Sequence, residues 1–211
     1  MKVAIIGANI SGLALAHILH EKYLNDFSIY IVEERAEVGF PCLGSGLLVN
    51  HEKWFEILNT WLVSSTYIPK LNQKIGLAFR RDWLEKDLAL SLVSKGITID
   101  VRTTVVSHTK NSLSLIGVGG VSSVWSGDIV IDCRKKSKTN LIGIISQNPQ
   151  KKGWQRNDGT WEGWYEKLPT EYNILQILNS QSSSFDENNI DFSLESAKSN
   201  SEKISHIYLN R

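Results

Sequence analysis

Two glycines and an acid near the start of the chain have the types and the spacing that bind phosphate and ribose. Gly7 and Gly12 enclose a short turn, and Glu33 follows about 20 residues later. A glycine turn before a helix brings main-chain N–H groups and the positive end of the helix dipole close to a pyrophosphate. A carboxylate at the end of the next strand accepts hydrogen bonds from an adenosine ribose. The predicted cofactor-binding residues in this region are Gly7, Ala8, Asn9, Ile10, Ser11, Gly12, Glu33 and Glu34.

The segments around these residues have the patterns of the elements needed to position them. The apolar run Val3–Ile6 precedes Gly7, an apolar helical stretch follows Gly12, and a second apolar run ends just before Glu33. Gly7 permits a sharp turn off the first strand, and Gly12 has no side chain to hold the helix away from the sheet. This order of strand, glycine turn, helix and strand predicts a Rossmann-like fold.

Asn9 stands where the G-x-G-x-x-G pattern has its middle glycine. Asparagine tolerates positive φ better than most residues do, so we expect the turn itself to persist. Its side chain must then either crowd the pyrophosphate or donate a hydrogen bond to it. The sequence leaves both possibilities open.

The composition is that of a folded protein without a strong overall electric field. Of 211 residues, 42% are hydrophobic and the net charge is +1, so we expect no nucleic-acid partner and no anionic membrane surface. No apolar run reaches the ~20 residues that span a bilayer, and no signal peptide is expected. Cys42 and Cys133 lack a metal or redox spacing, which favours a reduced, cytoplasmic protein without a metal site.

The remaining pattern predicts further strands and helices of an α/β fold. Asp82 is placed to cap a helix that Gly96 ends, and a parallel strand follows at 97–101. Residues 103–125 alternate in polarity as an antiparallel meander does. The apolar strand 128–132 is suited to the interior of the sheet.

Three segments are predicted along the chain. Residues 1–147 form the dinucleotide-binding domain, with a loop and a helix inserted at about 40–75. Residues 148–179 form an incomplete sheet on the substrate side. Residues 180–211 are rich in Ser and Asn, which predicts a loose tail.

Four further segments match one protein family in their order along the chain. Val38–Gly44 is similar to a G-x-P…C-G loop, and the segment beginning at Arg81 is similar to an R-x-x-F-D-x-x-L helix start. Gly96–Val105 matches a strand and turn, and Gly163–Pro169 matches an aromatic G-x-W-x-F-P strand. With the Gly7–Gly12 turn and Glu33, the chain thus resembles, over residues 1–175, FAD-dependent oxidoreductases of the geranylgeranyl reductase group, within the para-hydroxybenzoate hydroxylase-like flavoproteins.

The resemblance implies a fold, a cofactor and a set of site residues. The implied fold is a Rossmann-like FAD-binding domain with a parallel sheet, an antiparallel meander and a reduced second sheet. Arg81 would contact FAD, and the main chain near Val105 would meet the adenine. Cys42 is the candidate catalytic residue, and the reaction would be hydride transfer from reduced flavin to a prenyl or other small apolar substrate. The implied substrate-pocket residues are Cys42, Gly44, Trp164 and Pro169.

The chain departs from this family at two places. When the chain is aligned on Ser137, Cys133 and Arg134 stand at the family's D-G positions, unless Asp132 replaces the acid by a one-residue shift. The family's later G-D motif, which holds the flavin ribityl chain, has no counterpart before Arg211. A site without this motif would bind FAD weakly, use a partner chain or a homo-oligomer to complete it, or have lost the cofactor.

These departures leave two further interpretations of the sequence open. One is a shortened, non-catalytic nucleotide-binding or interaction module. The second is an NAD-dependent dehydrogenase, in which Glu33 would favour NAD over NADP because a carboxylate repels a 2′-phosphate.

Each candidate side chain also has a structural interpretation. Cys42 fits a small, half-buried side chain in a tight loop, and Arg81 fits an ion pair with Asp82 or Glu85. Basic residues that could meet phosphate also fit a solvated loop, and aromatic residues that could line a pocket also fit the core of a small sheet. The basic residues are Lys135, Lys136 and Lys138, and the aromatic residues are Trp161, Trp164 and Tyr165.

Overall fold

The structure, a computed structural model, describes residues 1–63, 69–72, 75–134, 141–180 and 184–210. Its helices are α1 (Ile10–Tyr23), α2 (His51–Trp61), α3 (Arg81–Ser94), α4 (Phe185–Asn188) and α5 (Ile190–Leu209). Its strands are β1 (Lys2–Ile6), β2 (Ser28–Val32), β3 (Leu47–Leu48), β4 (Lys70–Asn72), β5 (Gly76–Ala78), β6 (Thr98–Asp100), β7 (Thr104–His108), β8 (Ser112–Ile116), β9 (Ser122–Ser126), β10 (Ile129–Asp132), β11 (Ile142–Ser146), β12 (Gly153–Gln155), β13 (Trp161–Tyr165) and β14 (Ile174–Asn179).

These elements form two compact units, each assembled from separate stretches of the chain. Unit 1 contains Met1–Phe40, Glu85–Arg134 and Leu194–Arg211, and unit 2 contains Pro41–Leu84 and Lys135–Ser193. The segments expected from the sequence, in contrast, are contiguous. Local patterns identify individual elements, but they do not reveal which distant elements pack together.

Unit 1 contains a parallel sheet with the strand order β10, β1, β2, β6. The apolar strand β1 lies at its centre, paired in parallel with β2 on one side and β10 on the other. The predicted Rossmann-like α/β class is therefore confirmed. The prediction of an interior position for β10 was wrong, because among the described strands of this sheet β10 pairs only with β1 and its residues are half-buried.

The predicted antiparallel meander packs against this sheet. It consists of β7, β8 and β9 in that order, and the buried Leu113 and Leu115 of β8 contact Ala4 and Ile6 of β1 within one apolar cluster. The serines that alternate with these leucines are half-buried on the other face of the strand. The alternation of apolar and polar residues in the sequence therefore identifies the face of β8 that packs against the core.

Unit 2 contains two antiparallel sheets, with the orders β12, β13, β11, β14 and β3, β5, β4. The larger sheet carries Trp154 and Trp164, both buried, and corresponds to the second sheet expected from the sequence. Its central strand β11 (Ile142–Ser146) falls within the first of the segments expected from the sequence, because an apolar strand alone does not indicate which sheet it joins.

The prediction of a loose tail was wrong for residues 190–209, which form the helix α5. Its buried stripe begins with Ile190 and Leu194 and recurs every three or four residues, as in a helix with one buried face. Small residues fill much of the stripe, so its average hydropathy is low and the pattern resembles a disordered segment. The remaining members of the stripe are Ala197, Ser201, Ile204 and Ser205.

The start of α3 also differs from the expectation. The helix begins at Arg81, so Asp82 lies within its first turn instead of capping it. A carboxylate in the first turn still interacts favourably with the helix dipole. None of the helices that the structure describes is long and apolar enough to cross a membrane.

The buried His17 of α1 makes the stability of unit 1 depend on pH. Its Nε2–H donates to the Leu88 carbonyl at 3.1 Å, and burial, with a smaller effect of Lys95, lowers the pKa of His17 to about 3. In the unfolded chain His17 has its ordinary pKa of 6.5 and binds a proton below that pH. In the folded chain the buried His17 stays neutral over most of this range. Stability is therefore expected to fall as the pH drops below 6.5, by about 3 kcal/mol at pH 4.

Urea unfolding of the wild type and His17→Gln between pH 7 and pH 4 measures this contribution. The glutamine does not titrate, so its unfolding free energy should change less over this range. His20→Gln, on the same helix, is the matched control and should follow the wild type. Parallel curves for the wild type and His17→Gln would contradict the assignment.

Candidate functional site

The turn between β1 and α1 has the geometry expected of a phosphate-binding loop. Gly7 has a φ of +100°, which side chains other than glycine rarely adopt. A Cβ on Gly12 would lie 2.0 Å from the Gly7 carbonyl oxygen, so only glycine permits this approach of helix to strand. The predicted roles of both glycines in shaping the turn are confirmed by these two observations.

The side chain of Asn9 makes its hydrogen bonds within the chain. The residue has an extended backbone, with φ −89° and ψ 176°, so the expected positive φ is not used. Its Oδ1 accepts a hydrogen bond from Gly12 N at 3.1 Å, and its Nδ2 donates to the Cys133 carbonyl at 2.8 Å. The side chain therefore caps α1 and ties the end of β1 to the end of β10.

This cap leaves part of the helix N-terminus available to an anion. The first N–H groups of a helix have no acceptor within the helix, and of those in the first turn Asn9 satisfies the one of Gly12. The N–H groups of Ile10 and Ser11 remain as donors among the described residues. The Ser11 hydroxyl is buried beside the Cys133 thiol, a weak hydrogen-bond partner. Burial raises the pKa of this thiol to about 12.

Glu33 follows β2 as predicted, but its carboxylate is already fully hydrogen-bonded. Oε2 accepts from Ala8 N at 2.8 Å and from Arg35 Nη2 at 3.0 Å. Oε1 accepts from Arg35 N at 2.9 Å and from Arg35 Nε at 3.0 Å. A carboxylate has about four acceptor positions, so a ribose hydroxyl can bond to Glu33 only if one of these donors moves.

Arg35 is a residue of this network that the sequence reasoning did not single out. Its guanidinium also donates to the Ala8 carbonyl at 3.2 Å and pairs with Glu85 at 3.5 Å. Although burial opposes ionisation, the bonds from Arg35 hold the pKa of Glu33 below its usual range. The spacing Glu33-x-Arg35 permits this pairing but does not by itself predict it.

The end of β10 adds a second ion pair. Asp132 accepts from Arg134 Nε at 3.0 Å and from Arg134 Nη2 at 2.9 Å, so its carboxylate is engaged within the chain. The hydrogen bonds that Arg134 donates to Asp132 raise the pKa of Arg134, and the charge of the exposed Glu34 adds a smaller effect in the same direction. The neighbouring Lys135, Lys136, Ser137 and Lys138 lie outside the described residues.

Two predicted cofactor-binding residues, Arg81 and Val105, are engaged in contacts within the protein. Arg81 belongs to unit 2, where its buried Nη1 donates to the carbonyls of Ser45 at 3.1 Å and Asn188 at 3.2 Å. Val105 packs in the apolar cluster between the meander and the parallel sheet. The predicted contacts of these residues with FAD stay predictions.

The predicted substrate-pocket residues separate into different surroundings in unit 2. The Cys42 thiol donates to the Gly44 carbonyl at 3.3 Å, and Cys42 packs in an apolar cluster with Trp164. Gly44 lies against Arg81, whose Nη1 would be 2.4 Å from a Cβ at that position. Pro169 is half-buried in the loop after β13.

Trp164 lines a cavity of about 590 Å³ in unit 2. Its walls are largely aromatic and aliphatic, with two lysines and one glutamate among them. Such a cavity has the size and the character of a small-molecule site. The lining residues are Ile75, Leu141, Lys151, Lys152, Gly153, Trp154, Trp164, Tyr165, Glu166 and Phe185.

A buried carboxyl group holds Trp164 in place. The Nε1–H of Trp164 donates to Glu162 Oε1 at 2.8 Å, and the main-chain N–H of Gly46 donates to the same oxygen at 3.0 Å. Burial raises the pKa of Glu162 above its usual range, against the opposing effect of Arg156 and of these two donors. Sequence reasoning did not single out Glu162, because nothing in its spacing distinguishes it from a surface acid.

The fold and the glycine turn together are those of an α/β protein of the Rossmann type. A geranylgeranyl bacteriochlorophyll reductase-like protein from Thermoplasma acidophilum has a similar structure, with a TM-score of 0.68, 11% identity and coverage of 97% of this chain and 79% of that one. The fold-level resemblance expected from the sequence is thereby confirmed. No protein-family model and no curated protein matches the sequence.

Two more distant structures share the fold. A flavoprotein/dehydrogenase from Cytophaga hutchinsonii has a TM-score of 0.52 at 13% identity, over 77% of this chain and 54% of that one. An anhydrotetracycline hydroxylase from Streptomyces rimosus has a TM-score of 0.50 at 13% identity, over 84% of this chain and 51% of that one. The chain therefore spans about half the length of these two proteins.

The cap formed by Asn9 should contribute measurably to stability. Asn9→Ala removes the acceptor for Gly12 N and the donor to Cys133, and we expect a loss of about 1 kcal/mol in unfolding free energy. Asn50→Ala is the control, because Asn50 precedes α2 without a side-chain cap bond. Equal unfolding free energies for the two variants in urea titrations would contradict the capping role.

The raised pKa of Glu162 predicts a pH dependence of the opposite sign to that of His17. A carboxyl group whose pKa is higher in the folded state loses stabilising effect as the pH rises above its unfolded value. Glu162→Gln keeps an acceptor for Trp164 and does not ionise. Its unfolding free energy should therefore increase relative to the wild type between pH 4.5 and pH 7.

The exposed Glu166 of the same region supplies the control variant, Glu166→Gln, which should stay within about 0.5 kcal/mol of the wild type at both pH values. Chemical unfolding followed by tryptophan fluorescence gives the comparison. A wild type that gains stability over Glu162→Gln as the pH rises would show that Glu162 is stabilised as the ionised form.

Proposed function

We propose that the chain binds FAD through unit 1 and works as an FAD-dependent oxidoreductase on a small apolar substrate. The observation that carries this proposal is the turn of residues 7–12, where the φ of Gly7 and the close approach of Gly12 form a loop of main-chain donors at the carboxyl edge of a parallel sheet. Ligands of open α/β sheets bind at this edge. The similarity in fold to flavoproteins supports the same assignment.

The residues present fit the adenosine diphosphate half of FAD. The N–H groups of Ile10 and Ser11 would hold the pyrophosphate. Glu33, kept ionised by Arg35, would accept from the ribose after the guanidinium yields one of its bonds. When bound, the flavin would supply the hydride chemistry, while this chain contributes binding, orientation and the exclusion of water.

The cavity in unit 2 supports an apolar substrate. Trp154 and Trp164 are buried in its wall, and Phe185 packs against Trp154 with ring centroids 6.0 Å apart. An aromatic wall of this kind suits a prenyl chain, the substrate class implied by the family resemblance. Cys42 is not proposed as a reacting group, because its thiol points to the Gly44 carbonyl within the apolar core.

A second candidate function is a nucleotide-binding or interaction module without catalysis. The complete hydrogen bonding of the Glu33 carboxylate by Ala8 and Arg35 favours it. Such a carboxylate has no acceptor position ready for a ribose. This candidate shares the fold with the first one and differs in whether bound flavin turns over.

Titration of the purified chain with FAD tests the proposal. We expect flavin absorbance in the bound fraction after gel filtration and a rise in the unfolding temperature that saturates with FAD. ADP should compete with FAD, and FMN, which lacks the adenosine diphosphate half, should not. Absence of both the absorbance and the shift would overturn FAD binding.

Reduction of the bound flavin separates the two candidates. Flavin reduced by dithionite and reoxidised faster in the presence of a polyprenyl acceptor supports the oxidoreductase. Binding without any acceptor-dependent reoxidation, over a panel of apolar acceptors, supports the non-catalytic module.

A further inference from the structure

Arg134 lies directly against the glycine turn of unit 1. A Cβ on Gly7 would be 3.3 Å from Arg134 Cγ and 3.5 Å from Arg134 N. The stem of the arginine therefore crosses the point where β1 ends, and the absence of a side chain on Gly7 leaves space for it. The Arg134 side chain remains one-third exposed, so part of it is open to solvent.

Asp132 fixes the orientation of this guanidinium. It accepts from Nε at 3.0 Å and from Nη2 at 2.9 Å, the paired arrangement that gives arginine its geometric specificity. A guanidinium has five N–H donors in a rigid plane, and Asp132 uses two of them. The donors along the other edge of the plane are directed away from Asp132 and are suited to a second anion.

Two features of this edge favour such a cation. Asn9 takes one helix N-terminal donor, that of Gly12, for itself. The same edge also carries Glu33, Glu34 and Asp132, whose charges would repel a pyrophosphate. Arg35 neutralises Glu33, and Arg134 neutralises Asp132.

A second observation concerns the first turn of α1. The hydroxyl of Ser11 is buried there, and the Cys133 thiol beside it is only a weak hydrogen-bond partner. A phosphate oxygen would be a stronger acceptor for this hydroxyl than the thiol is. Ser11 and Arg134 thus stand on the two segments that follow the neighbouring strands β1 and β10.

We propose that Arg134, held in position by Asp132, is a phosphate-binding residue of the dinucleotide site and makes the site selective for ligands with a diphosphate group. The proposal rests on nucleotide binding by unit 1. Arginine occupies a position where the family resemblance implies glycine, so the contact belongs to this chain's own residues. The guanidinium supplies the charge-assisted donor that replaces the helix amide taken by Asn9.

Isothermal titration with ADP, inorganic pyrophosphate and adenosine tests the proposal in the full chain. Arg134→Gln should weaken the binding of ADP and pyrophosphate by about tenfold or more and leave adenosine within about twofold. Arg134→Lys keeps the charge without the fork and should give an intermediate loss. Arg102→Gln, an exposed arginine of the same unit, is the control and should bind as the wild type does.

The possible outcomes distinguish the role of Arg134 in phosphate binding from the binding of FAD. Equal ADP affinity in the wild type and Arg134→Gln, with FAD still bound, overturns the role of Arg134 and leaves FAD binding intact. Pyrophosphate binding that depends on Arg134, without any FAD binding, supports Arg134 and overturns the flavin assignment. No binding of ADP or pyrophosphate by the wild type overturns the inference as well.

A measurement on the wild type tests the proposal even if the Arg134 variants do not fold. In the wild type, the side-chain Nε–H resonance of Arg134 in nitrogen-15 spectra should shift on addition of pyrophosphate. The resonance of Arg102 should not shift. An unchanged Arg134 resonance at saturating pyrophosphate would overturn the proposal.

Discussion

The contact between Gly12 and the carbonyl oxygen of Gly7 determines how the first helix leaves the first strand. Any side chain at position 12 would have to occupy space within 2.0 Å of that oxygen. The approach places the start of α1 beside the end of β1, and the parallel register sets Val32 and Asp132 on either side of Ile6. The groups that follow these strands, Glu33 and Arg134, therefore meet the helix start at one edge of the sheet.

The polar groups at this edge are largely satisfied by one another. Arg35 bonds to Glu33, Arg134 bonds to Asp132, and Asn9 caps α1. A ligand entering the edge would exchange some of these bonds for its own, and exchanged hydrogen bonds contribute little net free energy. Affinity would then depend on the few donors without an internal partner and on the charge of the arginines. Without a ligand the acids and arginines of this network are paired with one another, so the loss of one partner would leave the other charge uncompensated.

The sequence predicted the framework of unit 1 because that framework is encoded locally. The alternation of Leu113 and Leu115 with serines indicated the meander, and the glycines with Glu33 indicated the turn between strand and helix. The roles of Asn9 and Arg35 could not be predicted, because each depends on where a side chain turns once the strands are adjacent. Helix α5 was missed since alanine and serine form much of its buried stripe. Neither the division into two discontinuous units nor the burial of Glu162 leaves a local pattern.

In the proposed site, phosphate oxygens meet the main chain at the start of α1. The most direct measurement is the change in backbone amide chemical shifts of the nitrogen-15-labelled chain during titration with ADP. The largest changes should fall on the amides of Ile10 and Ser11, with that of Gly12 affected less because Asn9 already bonds to it. Saturable changes elsewhere in the chain, with the amides of Ile10 and Ser11 unmoved, would contradict the account.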